Sequence, residues 1–273
     1  MVTLKQRLSE PEIVQVPGVY DALTAALAEK AGFEAAFISG SAVAYSQLGR
    51  PDIGLVAMTE MAQVVDRVRD RVGIPLFVDA DSGFGNAYHV ARAVRLFERS
   101  GASGIQIEDQ VNTKSVAEVS KRPLVSIDTM VGKLKSALDA RTSEETIISA
   151  RSDAVFTEGV DAALDRANAY ADSGVDMVFV EGLTEAGDRQ RLCDALKGRV
   201  TLLFNLLKPG AAGAPSPNDL QASGYDIVLF PAAVIGPSAN AVWQSLNRLK
   251  GTDVSADPVP VTDLIDADVL AKC

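Results

Sequence analysis

Apolar residues recur along the chain in short, nearly uninterrupted runs separated by segments with helical spacing of apolar positions. Five of these runs share one order, which is the end of a helix, a glycine, a short link and an apolar strand. They lie at 30–39, 71–81, 99–110, 172–182 and 222–231. Strands that are so uniformly apolar are covered on both faces, which is typical of a parallel sheet.

The segments between these runs predict amphipathic helices, most clearly at 59–72, 86–100, 128–141 and 159–173. Further strands are predicted at about 14–19, at 146–154 and at 200–207, which makes eight strand–helix units. Eight units favour an α/β fold of the (β/α)8 TIM-barrel class, with a doubly wound open sheet as the alternative.

The end of the chain departs from this repeat. Residues 1–250 are predicted to form one catalytic barrel domain, and Trp243 with the aliphatic positions of 241–249 is predicted to be core. Residues 251–273 are predicted to be a polar, proline-containing linker followed by a short helix. A helix beyond a closed barrel needs a surface to pack on, so we expect it to contact the barrel or a neighbouring subunit.

Composition narrows the possible functions. The 273 residues are 47% apolar and carry a net charge of −10, which argues against nucleic-acid and anionic-membrane partners. The one histidine, His89, nearly excludes a histidine-dependent triad or a multi-histidine metal site. The two cysteines, Cys193 and Cys273, stand in no metal or redox spacing. With no apolar run of about 20 residues, we expect a cytoplasmic protein.

Carboxylates follow the predicted strands at their carboxyl ends, where a TIM barrel holds its catalytic groups. Asp79 and Asp81 end the strand in "PLFVDAD", and the i, i+2 spacing within a strand predicts that both face the barrel mouth. Together with Glu108 from the next strand and Asp52 from a loop, they form a histidine-free set of oxygen ligands. Such a set suits Mg²⁺ or Mn²⁺, and because Mg²⁺ binds few carboxylates directly, some of these acids are expected to act through water.

Other polar strand ends suit a small anionic substrate. Arg151 can pair with a carboxylate through two parallel hydrogen bonds. Donors for an oxyanion are available from Ser39, the backbone amides of Gly40 and Ser41, and Asn205. The chemistry that these groups imply is stabilisation of an enolate-like or alkoxide intermediate by a metal ion and hydrogen-bond donors.

A set of motifs in a fixed order carries a family resemblance. The motifs are "PGVYDALTAALAEKAGFEAAFISGSAVAYSQLGRPDIGL", "VDADSGFGN", "IEDQ" followed by Lys114, "SARSDA", "VEG" and "FNLL". From about residue 11 to 250 the chain resembles the isocitrate lyase/phosphoenolpyruvate mutase superfamily. It is most similar to the short-chain branch that contains 2-methylisocitrate lyase, dimethylmalate lyase and oxaloacetate-cleaving enzymes.

The resemblance implies a Mg²⁺-dependent barrel that acts on small 2-oxo or 2-hydroxy carboxylates, often as a homotetramer of dimers that exchange the last barrel helix. It implies that Asp79 is the direct metal ligand and that Asp52, Asp81 and Glu108 hold metal-bound waters. The substrate-binding residues that it implies are Ser39, Gly40, Ser41, Asp79, Arg151, Glu181 and Asn205.

The loop after "IED" departs from the family pattern. Lyases of the family carry Lys-Lys/Arg-Cys-Gly-His in this loop, and the cysteine protonates the departing carbanion. Here Lys114 stands at the lysine position, Val116 at the cysteine, Ala117 at the glycine and Glu118 at the histidine. The asparagine of the mutase and phosphonopyruvate hydrolase branch is absent as well. Lys114 and Glu118 are therefore the candidate catalytic residues of the loop, with Glu118 either a replacement acid or a solvated glutamate.

Three hypotheses for function remain open. The first is a Mg²⁺-dependent carbon–carbon lyase or decarboxylase of a small 2-hydroxy or 2-oxo carboxylate. The second is a mutase or hydrolase of a phosphorus–carbon bond, as in phosphonopyruvate chemistry. The third is a catalytically silent family member that binds an α-oxo acid.

Overall fold

Eight parallel strands close into a barrel in sequence order, with the last strand hydrogen-bonded to the first. This computed structural model describes residues 2–111, 122–252, 254–255 and 257–265. The strands are β1 (Val14–Val19), β2 (Ala36–Ile38), β3 (Leu76–Asp79), β4 (Gly104–Glu108), β5 (Ile147–Ser152), β6 (Met177–Val180), β7 (Thr201–Asn205) and β8 (Ile227–Phe230). The predicted (β/α)8 TIM barrel is confirmed, and the closed strand order excludes the doubly wound alternative.

Helices follow the strands and surround the barrel. They are α1 (Leu4–Leu8), α2 (Ala22–Lys30), α3 (Gly40–Val43), α4 (Met58–Arg71), α5 (Ala87–Arg99), α6 (Ile127–Ala140), α7 (Val160–Asp172), α8 (Ala186–Leu196), α9 (Pro217–Ser223), α10 (Ile235–Lys250) and α11 (Val261–Leu264). The four helices predicted most clearly, α4 to α7, begin and end within one or two residues of the expected bounds. None of the helices in the described ranges is long and apolar enough to cross a membrane.

Glycines end several of the helices that precede strands, as the repeated sequence order predicts. Gly32, Gly101 and Gly174 adopt φ values of 92°, 96° and 91°, in the left-handed region that glycine reaches without a steric penalty. The unit at 71–81 is different, because α4 stops at Arg71 and Val72 is already extended.

Apolar side chains cover both faces of the barrel sheet, the inner face and the outer face. The side chains that fill the barrel are Leu4, Val14, Val16, Phe37, Phe77, Ile147, Met177, Phe179, Leu203, Ile227 and Leu229. A larger cluster joins the outer faces of the strands to the helices. Because apolar side chains fill the barrel interior, the polar residues collect at the carboxyl ends of the strands.

Helix α10 does not bury the apolar residues that the sequence predicted to be core. Trp243 is 41% exposed and Leu249 is 84% exposed, and Val242 and Leu246 are exposed as well. Within the described residues, α10 packs mainly on α11. The core prediction for 241–249 is therefore wrong for a single chain. An apolar helical face has the same sequence pattern whether its own chain or a second chain covers it.

Candidate active site

The predicted metal ligands of β3 and β4 lie at the same end of the barrel. Asp79 is the last residue of β3, and its Cα pairs with that of Gln106 in β4. Glu108 ends β4 and pairs with Arg151 in β5. Asp79, Asp81 and Glu108 are all buried. Parallel pairing thus places these carboxylates and the predicted substrate arginine on neighbouring strands.

Asp81 is positioned by a turn and not by the strand that the sequence argument assumed. Strand β3 ends at Asp79, and Asp81 has a φ of 46°, in the left-handed region that costs a residue with a side chain about 1–3 kcal/mol. The backbone of Asp81 is fixed at both ends. Its N–H donates to Asp79 Oδ1 at 3.2 Å, and its carbonyl accepts from the Glu108 N–H at 2.9 Å. Strain that is held in this way is typical of functional sites.

The glycines after Asp81 serve the packing of the turn. Gly83 has a φ of 81°, and a Cβ there would lie 2.3 Å from Val90 Cγ2 on α5. A Cβ on Gly85 would lie 2.7 Å from the His89 ring. Both glycines therefore let the turn approach α5 closely, and His89 itself is on the exposed surface of that helix, as predicted.

Residues 39–41 begin the short helix α3 next to Asp79. Ser39 caps this helix by accepting from the Ala42 N–H at 3.4 Å, and its hydroxyl lies 3.2 Å from that of Ser41. The Gly40 N–H donates to Asp79 Oδ2 at 3.3 Å. A Cβ on Gly40 would lie 2.9 Å from the same oxygen. In this structure Gly40 therefore orients the carboxylate of Asp79, while Ser39 and Ser41 provide hydroxyls beside it.

Arg151 is surrounded by three carboxylates. Its Nε and Nη2 donate to the two oxygens of Asp153 at 3.0 Å each. Glu108 Oε2 lies 3.6 Å from Nη1, and Glu181 Oε2 lies 3.7 Å from Nη2. Burial acts to lower the pKa of Arg151, but the charges of Asp153, Glu108 and Glu181 outweigh it and hold the pKa well above its usual value. Arg151 is thus a permanent and rigidly held cation.

Asp153, a polar strand-end residue without a specific role in the sequence prediction, holds Arg151 in place. It is 0% exposed and pairs with Arg122 as well as with Arg151. Burial acts to raise the pKa of Asp153, but the two arginines overcome this effect, so the pKa lies below its usual value. The sequence signal was an acid two residues after Arg151 in "SARSDA".

A second buried group, centred on Asp109, supports Asp153 and so also Arg151. Asp109 accepts from the Asp153 N–H at 3.0 Å, from Ser152 Oγ at 2.8 Å and from the Tyr170 hydroxyl at 2.8 Å. Arg166 lies 3.3 Å from the same carboxylate. Burial raises the pKa of Asp109, and the hydrogen bonds act against that shift. The group ties β4, β5 and α7 together at the end where Arg151 sits.

Glu181 and Asn205, at the ends of β6 and β7, bond to each other. Asn205 Nδ2 donates to Glu181 Oε2 at 2.9 Å. Asn205 Oδ1 is buried and has no hydrogen-bond partner among the described residues. A buried acceptor of this kind normally finds a donor, so a ligand hydroxyl or a water molecule is the expected partner.

Asp52 and a cavity complete the mouth. Asp52 is half-buried, and its charge adds to the effect of burial in raising the pKa of Tyr45. A cavity of about 380 Å³ is lined by Asp81, Ser82, Glu108, Gly54, Leu55, Val56, Ala57, Met58, Phe84 and Val111. Its mixed lining and its size suit a small polar ligand. Lys114 and Glu118 lie outside the described residues.

The acids at this end of the barrel outnumber the basic groups among the described residues. Asp79, Asp81, Glu108, Asp109, Asp153 and Glu181 are buried, and the cations around them are Arg122, Lys133, Arg151 and Arg166. Burying an acid costs several kcal/mol unless positive charge and hydrogen bonds accompany it. A bound cation would add to the positive charge at this end of the barrel.

The donor set fits a hard cation that keeps part of its water shell. In the described part of the chain, no three His, Cys, Asp or Glu side chains could hold a metal ion directly. A Mg²⁺ site with one direct carboxylate ligand, and with water between the ion and the other acids, does not require such a group. The buried oxygens of Asp79, Asp81 and Glu108 are the ligand type that Mg²⁺ prefers.

The chain is similar in sequence to a phosphomutase family and to curated lyases. The family described as phosphoenolpyruvate phosphomutase matches residues 4–249. The chain is 37% identical to 2,3-dimethylmalate lyase of Eubacterium barkeri over 93% of this chain and 87% of that protein. It is 38% identical to 2-methylisocitrate lyase of Salmonella typhimurium strain LT2 over 90% of this chain and 83% of that protein.

Solved structures of similar proteins superpose on nearly the whole of this chain. Oxaloacetate acetylhydrolase in complex with 3,3-difluorooxalacetate superposes with a TM-score of 0.85 at 29% identity, covering 99% of this chain and 93% of that one. Phosphonopyruvate hydrolase in complex with oxalate and Mg²⁺ superposes with a TM-score of 0.80 at 26% identity, covering 98% and 95%.

Proposed function

The chain belongs to the phosphoenolpyruvate mutase/isocitrate lyase superfamily, and from this premise we propose that it is a Mg²⁺-dependent lyase or decarboxylase of a small 2-hydroxy or 2-oxo carboxylate. The observation that carries the proposal is the group of buried acids, Asp79, Asp81 and Glu108, beside Arg151. Alone, such a group would repel an anionic substrate. A divalent ion held by these acids would let the same group attract an anionic substrate.

Asp79 is the proposed direct metal ligand, and Asp52, Asp81 and Glu108 are the proposed holders of metal-bound water. The hydrogen bonds from Gly40 and Asp81 to the two oxygens of Asp79 support this role, because they fix the orientation of the carboxylate before metal binds. Mg²⁺, or Mn²⁺ in its place, would supply Lewis-acid stabilisation of negative charge on substrate oxygens.

The substrate side is built from residues that bind and orient. Arg151 is the proposed partner of a substrate carboxylate, because Asp153 holds its guanidinium plane through Nε and Nη2, while Nη1 lies 3.6 Å from Glu108, beyond hydrogen-bond distance. Ser39 and Ser41 are the proposed donors to the enolate oxygen, and the Gly40 amide orients Asp79 beside them. The free acceptor of Asn205, held by Glu181, is the proposed partner of a substrate hydroxyl.

We assign the remaining step, protonation of the departing carbon, to the loop that carries Lys114 and Glu118. Val116 occupies the position where family lyases carry the cysteine acid. We propose Glu118 as the replacement acid and Lys114, at the family's lysine position, as the second catalytic residue of the loop. A decarboxylation in which water supplies the proton is the form of the reaction that needs no such acid.

Phosphorus–carbon bond chemistry is the second candidate. The similarity to phosphonopyruvate hydrolase at 26% identity favours it, and the missing loop asparagine argues against it. Binding of an α-oxo acid without turnover is the third candidate, since the loop lacks both known family signatures.

A substrate panel separates these candidates. We would incubate the protein with oxaloacetate, 2-methylisocitrate, 2,3-dimethylmalate and phosphonopyruvate, with Mg²⁺ or with EDTA, and follow products by mass spectrometry. We expect turnover of a carbon–carbon substrate that requires Mg²⁺. Release of phosphate from phosphonopyruvate alone would support the second candidate. Tight oxalate binding without any turnover would support the third, and turnover that persists in EDTA would contradict the role of metal.

We also propose a homotetramer of dimers that exchange α10, with residues 1–250 as the catalytic barrel and 251–273 as a segment packing at the subunit contact. In a closed ring of helices, the helix after β8 belongs between α9 and α2. Instead, α10 packs mainly on α11, and α2 exposes Leu23 and Leu27. The α10 of a second copy would cover these leucines, and the exposed side chains of α10 would be covered in turn.

A further inference from the structure

Lys133 is a buried cation that the proposed reaction does not use. It lies on α6 among the buried residues Met130, Leu134 and Ala137, and it is 4% exposed. A lysine in such a position is unfavourable unless its ammonium group has partners. The partners here are specific, and they belong to the active site.

The ammonium group of Lys133 reaches the turn that carries Asp81. Its Nζ donates to the carbonyl oxygen of Ser82 at 2.9 Å. The carboxylates of Glu108 and Asp109 attract its charge. Burial acts to lower the pKa of Lys133, and these two carboxylates act against that effect. Lys133 therefore links the β3–α5 turn to the acids at the end of β4.

The turn that Lys133 holds is strained. Asp81 and Phe84 are the residues other than glycine with positive φ in the described chain, at 46° and 61°, and Ser82 lies between them. Conformations of this kind persist only where surrounding contacts hold them. The contact from Lys133 comes from a helix 51 residues away in sequence, and it acts on the carbonyl of Ser82, the residue that directly follows Asp81.

We propose that Lys133 is a positioning residue, which clamps the Ser82 carbonyl and so sets the carboxylate of Asp81 for the metal-bound water. This inference rests on the proposed function as far as the metal is concerned. It deepens that function, because it assigns a role behind the metal site to a residue of α6. Lys133 touches neither substrate nor metal in this account.

Charge and position predict opposite effects on metal binding, which makes the proposal testable. Lys133→Met has nearly the same length and removes both the charge and the donor. If Lys133 acted only as a nearby cation, its removal would make the site more negative, and Mg²⁺ would bind more tightly. If Lys133 positions Asp81, its removal releases the turn, and Mg²⁺ binds about 10–100-fold more weakly, as is usual when a residue behind a metal ligand is lost.

The experiment compares wild type, Lys133→Met and Lys133→Arg with a control on the same helix, Lys135→Met, whose lysine is exposed. Mg²⁺ affinity is measured by calorimetry on metal-free protein without substrate. We expect weaker binding in Lys133→Met, partial recovery in Lys133→Arg and no change in Lys135→Met. Unchanged or tighter binding in folded Lys133→Met would overturn the proposal.

A readout without metal separates this proposal from the proposed function. Amide hydrogen exchange of residues 80–86 in metal-free protein should quicken at least 10-fold in Lys133→Met and stay unchanged in Lys135→Met. Unchanged exchange would overturn the clamp even if the enzyme needs Mg²⁺. Faster exchange in a protein that never binds Mg²⁺ would support the clamp and contradict the proposed function. If Lys133→Met does not fold, Lys133→Gln is tested by the same two measurements.

Discussion

Arg151 is the residue on which the substrate side of the site depends, and its geometry explains why lysine should not replace it. The guanidinium uses two N–H groups on Asp153 and leaves another for a ligand, which a single ammonium group cannot reproduce. We expect Arg151→Lys to fold and to lower kcat/KM by about 100-fold or more, the usual loss when a placed donor is removed. Steady-state kinetics on the substrate found in the panel measures this effect.

The control for that prediction is Arg191→Lys, an exposed arginine whose partners Asp161 and Asp188 lie on the outer helices. It should keep wild-type kinetics. Equal activity of Arg151→Lys and wild type would contradict the role of Arg151.

Asp153 gives a prediction about pH. Its pKa is below the usual value in the folded protein, so its ionised form stabilises the fold. This contribution is complete above the ordinary aspartate pKa of about 4 and is lost as pH falls through the lower folded value. We expect Asp153→Asn to be less stable than wild type by about 3–5 kcal/mol at pH 7, because it breaks a buried ion pair, and the difference should shrink toward pH 2. Urea unfolding across pH measures it.

Asp194→Asn is the matched control, because Asp194 is exposed and its hydrogen bond is to the neutral amide of Gln190. Its stability relative to wild type should change little with pH. A deficit of Asp153→Asn that stays constant from pH 7 to pH 2 would argue against the ion pair.

Single residues also show what sequence patterns could and could not reveal about the site. Asp79 was predictable, because an acid that ends an apolar strand must lie at the barrel mouth. Lys133 carried a signal that was not used. It stands three and four residues from Met130 and Ala137, on the face of α6 that the periodicity marks as buried. The left-handed conformation of Asp81 had no such signal, because contacts from β4 and α6 hold it.

The conformation of the β3–α5 turn positions Asp81, so the proposed metal site depends on it. Gly83 is confined by its positive φ and by Val90, so Gly83→Ala should lower the free energy of unfolding by about 1–3 kcal/mol and weaken Mg²⁺ binding. Gly132 on α6 is the control, because nothing lies within 4 Å of a Cβ built there. Gly132→Ala should raise stability by about 0.5–1 kcal/mol. Chemical denaturation of both variants tests this contrast, which would fail if Gly83→Ala were as stable as wild type.

Among the secondary-structure elements, strands and long helices were predictable because each depends on the local periodicity of apolar residues. The runs at 71–81 and 172–182 contain β3 and β6, and the segment 86–100 contains α5. Asp79 and Asp81 are both buried, as the i, i+2 spacing predicted, but not for that reason, because β3 ends two residues before Asp81. The pattern of apolar and polar side chains does not indicate at which residue a strand ends and a turn begins.

At the scale of the whole molecule, the apolar face of α10 is exposed in the single chain. Its apolar face and the exposed leucines of α2 predict an assembly in which copies exchange this helix. We expect wild type to sediment as four chains and Trp243→Glu to sediment as smaller species, because a charge would be buried in the contact. Tyr88→Glu, at a position on α5 that is 86% exposed, should leave the assembly intact. A wild-type monomer at micromolar concentration would contradict the exchange.

The central claim is that a divalent cation balances the buried acids at the carboxyl end of the barrel. Calorimetric titration of Mg²⁺ into metal-free wild type and Asp79→Ala tests it most directly. We expect one saturable site in wild type and at least about 100-fold weaker binding in the variant, since the direct ligand is gone. Equal affinity of the two folded proteins, or no binding to wild type, would contradict it.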